Sequence, residues 1–342
     1  MSINAYIGDA EPAPPILAHT MLQSGPSAET KHEQDQQHSA EQSWNISHDV
    51  QKGLQNSPDS VFRTGIVIGF SRLRDAHKET SDEDEYIGRL PRHLLTTHLL
   101  QQHQHDTHQP KTYIIHPANF SAFTPQRLLT SLLNKNQQQQ PPLSRTQAIN
   151  LLDSVQLFPV YDFNAAAQAL HEIATTISPA TTPSTEPPPP PHQQHIIIIT
   201  GLDTLTEGVI RASNPLRGSA MLTSVLRTLT QLTRTHGSNV SVMLVNTSGL
   251  GKMVSAQSGG VGEVDANATG GMYEMDDGEE GIQSAFRAHS GEMFPSLLMR
   301  TLDQGIDTHL LVSSIGRVPV VEVIKDRVGE NVGRWCVGEG EV

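Results

Sequence analysis

One cysteine, Cys336, is all this 342-residue chain has, which excludes an internal disulfide framework and fits a reducing compartment. Aromatic residues make up only 4% of the chain. No apolar run approaches the roughly 20 residues needed to span a bilayer. The opening MSINAYIGDAEPAPP lacks the basic start and apolar stretch of a secretory signal, so a cytoplasmic or nuclear protein is expected. Cations are scarce as well: 23 Lys and Arg against 36 Asp and Glu leave a formal net charge of -13. That balance argues against a general polyanion binder and leaves only a local basic patch free to contact nucleic acid.

Hydrophobic periodicity is missing from several long stretches. Residues 1–60 are rich in Gln, Ser, His, Glu and Asp, as in EQDQQHSAEQSWN, and are expected to be disordered. The tracts 137–142 (QQQQPP) and 178–194 (around SPATTPSTEPPPPP) read as low-complexity inserts, the second a stiff polyproline-type loop. Residues 249–291, rich in Gly and acids, read as a long mobile loop, and 338–342 as a tail. A single globular core over 61–337 remains.

That core alternates between strand and helix patterns. Strands are expected at Gly65–Gly69 (GIVIG), Thr112–Ile115 (TYII), Val155–Val160, His195–Thr200 (HIIIIT) and Val240–Val245 (VSVMLV). Between them, helices are expected at Arg89–Leu100 with Pro91 in the first turn, at Pro125–Asn134 and at Ala165–Ile177. After HIIIIT, Leu222, Val225, Leu226, Leu229 and Leu232 share one helical face, with Gly237 placed to cap it. His309–Ser313 and Val318–Ile324 read as a closing antiparallel pair turned at Gly316. Four consecutive isoleucines, β-branched and apolar on both faces, suit a central strand covered by helices on both sides. Such alternation predicts an α/β fold with a mainly parallel sheet, whose ligands bind beyond the carboxyl ends of the strands. The loops after Gly69, Ile115, Ile199 and Val245 are therefore where chemistry is expected. In nucleotide-binding proteins of this kind a strand like HIIIIT usually ends in a magnesium-holding acid. Here Thr200 follows the isoleucines directly, and the first acid, Asp203, comes later in the turn.

In order and wording, these segments resemble the RecA-like recombinase superfamily, in particular the divergent eukaryotic recombinase paralogues of homologous recombination. The matching pieces are GIVIGFS at 65–71, YIIHPANFSAFTPQRLL at 113–129, IIIITGLDTLTEGVIRASNPLRGSAML at 196–222 and VMLVNTSG at 242–249. DTHLLV and VVEVIKDRVG follow towards the end. The resemblance covers roughly residues 60–337, and the ordered set carries it rather than any single piece. It implies a RecA-like P-loop NTPase-type three-layer fold, closing antiparallel strands, interrupted by disordered inserts.

The resemblance also implies an ATP site, and the residues depart from it at each motif. A phosphate loop, GxxxxGK[ST], cradles phosphates with backbone N–H groups, a Lys and a magnesium-binding hydroxyl. GIVIG is followed instead by FSRLRDAHKETSDEDEYIGRL, where Lys78 has no preceding glycine and Asp82, Glu83, Asp84 and Glu85 would repel a triphosphate. Matching Phe123 and Pro125–Leu128 to the family pattern places Phe120 where the catalytic glutamate lies, and a phenylalanine cannot activate water. Thr200 stands at the strand-end acid, with Asp203 able to replace it only through a local bulge. Asn246 and Thr247 fall at the polar sensor, which is half retained. The vestigial nucleotide-binding positions are thus Gly69, Ser71, Thr200, Asp203 and Asn246, no catalytic residue or metal ligand is assigned, and no cofactor is expected beyond residual ATP and magnesium.

Two loops bind DNA in the resembling family. The first maps to Thr206–Arg217, where Arg211, Asn214 and Arg217 are candidate phosphate contacts or ordinary solvated residues. The second maps to 249–291, which carries Glu263, Asp265, Glu274, Asp276, Asp277, Glu279 and Glu280 and no Lys or Arg between Lys252 and Arg287. Such a loop is repelled by a phosphate backbone.

Other patterns carry less. His93, His98, His103, His105 and His108 suggest a metal, but they alternate with glutamines without a carboxylate set and read as a solvated linker. Ser71 follows a strand as a nucleophile elbow would, but the run Gly69, Phe70, Ser71, Arg72, Leu73 is not G-x-S-x-G. Lys325, Asp326 and Arg327 read as a charged interface rim or a solvated turn. The resulting expectation is a non-catalytic or weakly nucleotide-binding accessory subunit in nuclear recombinational DNA repair, acting by assembly with recombinase-family partners and possible DNA contact. The alternatives are an ATPase whose phosphate loop is lost through a misassigned exon boundary across 72–86, and an interaction scaffold unrelated to repair.

Overall fold

The isoleucine strand lies at the middle of the molecule and explains its layering. In the computed structural model, residues 44–73, 83–104, 111–136, 143–178, 194–250, 296–315 and 318–337 are described. The strands are β1 (Val67–Leu73), β2 (Lys111–Pro117), β3 (Val155–Val160), β4 (His195–Thr200), β5 (Val240–Leu250), β6 (Thr308–Ile315), β7 (Val318–Asp326) and β8 (Trp335–Val337). The helices are α1 (Ile46–Lys52), α2 (Glu83–Gln104), α3 (Pro125–Asn136), α4 (Arg145–Leu152), α5 (Phe163–Ile177), α6 (Leu202–Ala212), α7 (Pro215–His236) and α8 (Leu297–Gln304). One eight-stranded sheet runs β3-β2-β4-β5-β1-β6-β7-β8. The first six of these strands are parallel, β7 is antiparallel to both of its neighbours, and β4 sits between β2 and β5.

Side-chain alternation sorts the core into two halves. On β4, Ile196 and Ile198 pack into a cluster with α1, α2, α3 and α4, while Ile197 and Ile199 pack on α5 and α7 across the sheet. The same split holds on β5, with Met243 and Val245 on one side and Val240, Val242 and Leu244 on the other. Each isoleucine of β4 is fully buried, worth roughly 1.5–3 kcal/mol apiece relative to exposure. A helix layer on each face of a mostly parallel sheet is the arrangement that both-faces-apolar strands require. Among the described residues no helix is long and apolar enough to cross a membrane.

Several elements differ from the sequence expectation. Residues 44–60 are structured where disorder is expected, and residues 1–43 lie outside the described residues. Asn45 caps α1, and Trp44, Ile46, Val50 and Leu54 are buried, with Trp44 tilted against the ring of Phe62. Four spaced apolar residues suffice to dock this short helix despite its polar composition. α2 starts at Glu83, which puts Pro91 inside it rather than in its first turn. Burial of Ile87, Leu90, Leu94 and Leu95 carries the helix across the hydrogen bond that proline removes. His93 and His98 lie on this helix, His98 buried, and not in a solvated linker. The strand at VSVMLV continues to Leu250, so Gly249 and Leu250 belong to β5. The inserts at 137–142, 179–193 and 251–291, the turn at Gly316, the tail and Lys78 lie outside the described residues.

Helix α3 buries a charge against α2. Lys135 Nζ donates to Thr97 Oγ1 and to the carbonyl of His93, and burial lowers its pKa from 10.5 to about 7. Below pH 7 both folded and unfolded chains hold the proton, and the folded state bears the full cost of desolvating the cation. As pH rises from about 7 towards 10.5 the folded lysine loses its proton first and stability rises. Lys135→Met is therefore expected to stabilise the protein at pH 6 by up to about 4 kcal/mol and to remove that rise. Thermal melts of both proteins across this pH range check it.

Candidate functional site

Three parallel strands converge where the sequence places chemistry, in the order β4-β5-β1, with β6 next to β1. Ser71 on β1 is opposite Asn246 on β5, and Gly69 is opposite His309 on β6. Period-2 alternation sends Gly69 and Ser71 of β1, and Asn246, Ser248 and Leu250 of β5, to the face covered by α8. Apolar Phe70 and Val245 take the other face. A buried polar column results.

Its hydrogen bonds form a directed chain. Asn246 Nδ2 donates to Ser71 Oγ at 2.8 Å, and Ser71 Oγ lies 2.8 Å from His309 Nε2. His309 Nδ1 is 2.9 Å from Asp303 Oδ1, and Lys325 Nζ donates to Asp303 Oδ2 at 2.8 Å. Because Nδ1 faces a carboxylate, it carries the proton. Nε2 is then the acceptor, and the Ser71 hydroxyl donates to it. Ser71, His309 and Asn246 are all buried, Ser71 completely. Burial alone would push the Asp303 carboxyl up, but the hydrogen bond from His309 and the hydrogen bond and charge of Lys325 outweigh it and hold it below its ordinary 3.8.

The order Ser71, His309, Asp303 is that of a serine-hydrolase relay. Its surroundings are not. Ser71 Oγ has no exposed surface and both its hydrogen bonds are taken up. The adjoining cavity, bordered by Asp203, Asn246, Ser248 and His309, holds about 10 Å³, room for no more than a water-sized group.

A second knot of polar groups closes the strand-end beside it. Gly201 adopts φ +66°, a left-handed turn between β4 and α6 that a side chain would strain. That turn carries Asp203 into the first turn of α6, so no bulge is involved. Asp203 is buried and accepts from the backbone N and Oγ of Ser248, both at 2.5 Å, and from Thr247 Oγ1 at 3.3 Å. Thr200, at the end of β4, is fully buried, and its Oγ1 has no partner. Gly69 serves packing: a Cβ there would sit 2.5 Å from Ile306. Phe120 is buried in the core and stacks with Phe123, ring centroids 6.1 Å apart.

The expected DNA-contact loop at Thr206–Arg217 is mostly helical. Leu202, Leu205, Val209 and Ile210 pack at helical spacing, so α6 runs to Ala212, and Asn214 then caps α7 with Pro215 opening it. Arg211 pairs with Glu207 at 3.0 Å, and Asn214 Oδ1 accepts from the Arg217 backbone N at 2.8 Å. Two of the three candidate side chains are therefore engaged within their own helices.

Sequence reasoning placed Ser71, Asp203 and Asn246 in one region and missed His309, Asp303, Lys325 and Ser248. Alternation along β5 would have put Ser248 beside Asn246. Nothing local marks Asp303, which reaches His309 only because α8 docks over β6. Lys325, Asp326 and Arg327 are not a free solvated turn. Lys325 holds Asp303, Asp326 pairs with buried Arg63, and Arg327 lies 3.6 Å from Asp307. Among the described residues, no group of three or more His, Cys, Asp and Glu is arranged to hold a metal. Compared with known proteins, the chain matches no protein-family model and no curated sequence.

Proposed function

We propose that this chain is a RecA-like accessory subunit of recombinational DNA repair that acts by assembly with recombinase-family partners and does not turn over ATP. The observation that carries the non-catalytic reading is the closure of the polar groups on one another. The relatives the sequence resembles need an open hydroxyl, acid and polar sensor facing a magnesium nucleotide. Here Ser71 and Asn246 bond each other, Asp203 is occupied by Ser248 and Thr247, and Phe120 fills the glutamate position from within the core. These residues do not fit a magnesium–triphosphate group.

The RecA-like part of the proposal rests on placement. The positions matched to the phosphate loop, strand-end acid and polar sensor lie on β1, β4 and β5, three adjacent parallel strands, so their carboxyl ends meet at one sheet edge. An intact α/β framework around spent polar groups retains surface for partner binding.

Purified protein is expected to show no ATP turnover above buffer, and pull-down from cells is expected to recover recombination proteins, with deletion sensitising cells to DNA breakage. Turnover abolished by Asp203→Ala would sink the non-catalytic reading in favour of an ATPase. Absence of both recombination partners and damage sensitivity would leave a scaffold unrelated to repair.

A further inference from the structure

Helix α7 presents two contrasting faces. Leu222, Val225, Leu226, Leu229 and Leu232 are buried against the sheet. The opposite stripe, Thr223, Arg227, Thr230, Gln231 and Arg234, follows the spacing of a single helical face. Together with Gln304 at the end of α8 it borders a groove of about 520 Å³, within the range of small-ligand sites.

The groove is cationic in an acidic protein. Among the described residues, the Arg227 and Arg234 side chains make no ion pair or hydrogen bond. Elsewhere Arg63, Arg211 and Arg327 each have a carboxylate partner. Position near the helix C-terminus accounts for Arg234 through the dipole, but Arg227 lies two turns earlier. Seven residues of helix separate the two by about 10.5 Å, a span over which long side chains can converge on neighbouring phosphates. Each guanidinium offers a planar fork matched to phosphate oxygens. Gln231 and Gln304 add neutral amide donors. The Thr223 and Thr230 hydroxyls donate to their own backbone, to Ser219 O and Leu226 O, which leaves their lone pairs to accept from a ligand hydroxyl.

We infer that the α7–α8 groove binds a phosphate-bearing ligand through Arg227 and Arg234. This site lies away from the strand ends and does not depend on the repair assignment. The chemistry is shared by small organic phosphates and by a nucleic-acid backbone, and the test separates them. Full-length protein and R227Q/R234Q, whose exposed substitutions leave the core untouched, would be titrated with inorganic pyrophosphate by calorimetry and with a labelled single-stranded oligonucleotide by anisotropy over a salt series. Pyrophosphate affinity is expected to fall at least about tenfold in the variant, as loss of charged hydrogen bonds implies. If oligonucleotide binding falls too, with its log–log salt slope shallower by about 1.4 for two lost phosphate contacts, the ligand is a nucleic-acid backbone. A loss confined to pyrophosphate assigns a small phosphate. Failure of the wild type to bind either probe, or equal binding by the variant with an unchanged melting temperature, overturns the inference.

Discussion

Arg63→Met is expected to lower stability by about 3–5 kcal/mol, the cost of leaving one member of a buried ion pair alone. Arg63 and Asp326 are both buried, and the guanidinium donates to the Asp326 carboxylate, to Thr308 Oγ1 at 3.1 Å and to the Pro58 carbonyl at 2.8 Å. It therefore ties the segment before β1 to the end of β7. Asp326 also accepts from Asn331 Nδ2 at 2.6 Å and from the backbone N of Gly329 at 3.1 Å. Burial would push this carboxyl up, but the Asn331 hydrogen bond and the Arg63 charge outweigh it and hold it below 3.8. The depressed folded pKa gives a contribution fully present above pH 3.8 and lost as pH falls through the folded value. Urea titrations of wild type and variant between pH 2 and 7 check both the loss at neutral pH and a weaker acid-side decline in the variant. Arg63→Met with Asp326→Leu should be milder than Arg63→Met alone, because no uncompensated charge is then left inside. A double variant as unstable as the single one would show that packing, not charge, dominates.

His309→Leu is expected to cost about 3 kcal/mol, because it leaves the buried Ser71 hydroxyl without its acceptor and one Asp303 oxygen without its donor. Leucine fills similar space, so the loss reports polar bonds more than a cavity. The pairing makes a second, sharper demand. Ser71→Ala combined with His309→Leu should cost clearly less than the sum of the two, since they share one bond, and a double-mutant cycle in urea measures that coupling. The brace also predicts a chemical outcome: a fluorophosphonate probe should leave Ser71 unlabelled in the native protein, because the hydroxyl is inaccessible. Labelling of wild type that Ser71→Ala removes would mean the relay opens to substrate and acts as a nucleophile. Additive cycle energies would mean that the bond contributes nothing to the fold.

How far each residue could be read depended on the range of the interaction that fixes it. The isoleucines of β4 and the apolar stripe of α7 follow from periodicity alone, because burial on two faces or one imposes a repeat on the chain. The antiparallel pairing of β6 with β7 followed from their closeness in sequence. Thr206–Arg217 departs from the loop expectation because its cap and proline, Asn214 and Pro215, open a second helix, and the apolar spacing from Leu202 to Ile210 is short. α1 was hidden by the glutamine and histidine around four apolar residues that matter only once a core exists to receive them.

Composition and pattern by themselves determined that this protein lacks a disulfide framework, builds a mainly parallel α/β sheet around HIIIIT, and has no intact phosphate loop, since each of these is a property of nearest neighbours or of a local repeat. Only the tertiary structure decided that Ser71, Asn246, His309, Asp303 and Lys325 bond one another, that Arg63 reaches Asp326, and that Arg227 and Arg234 border one groove. The bonds of Ser71 to Asn246 and His309, and of Arg63 to Asp326, join residues more than 170 positions apart. No local periodicity encodes which side chains the packing of α8 against the sheet brings within hydrogen-bond distance and which it leaves facing solvent.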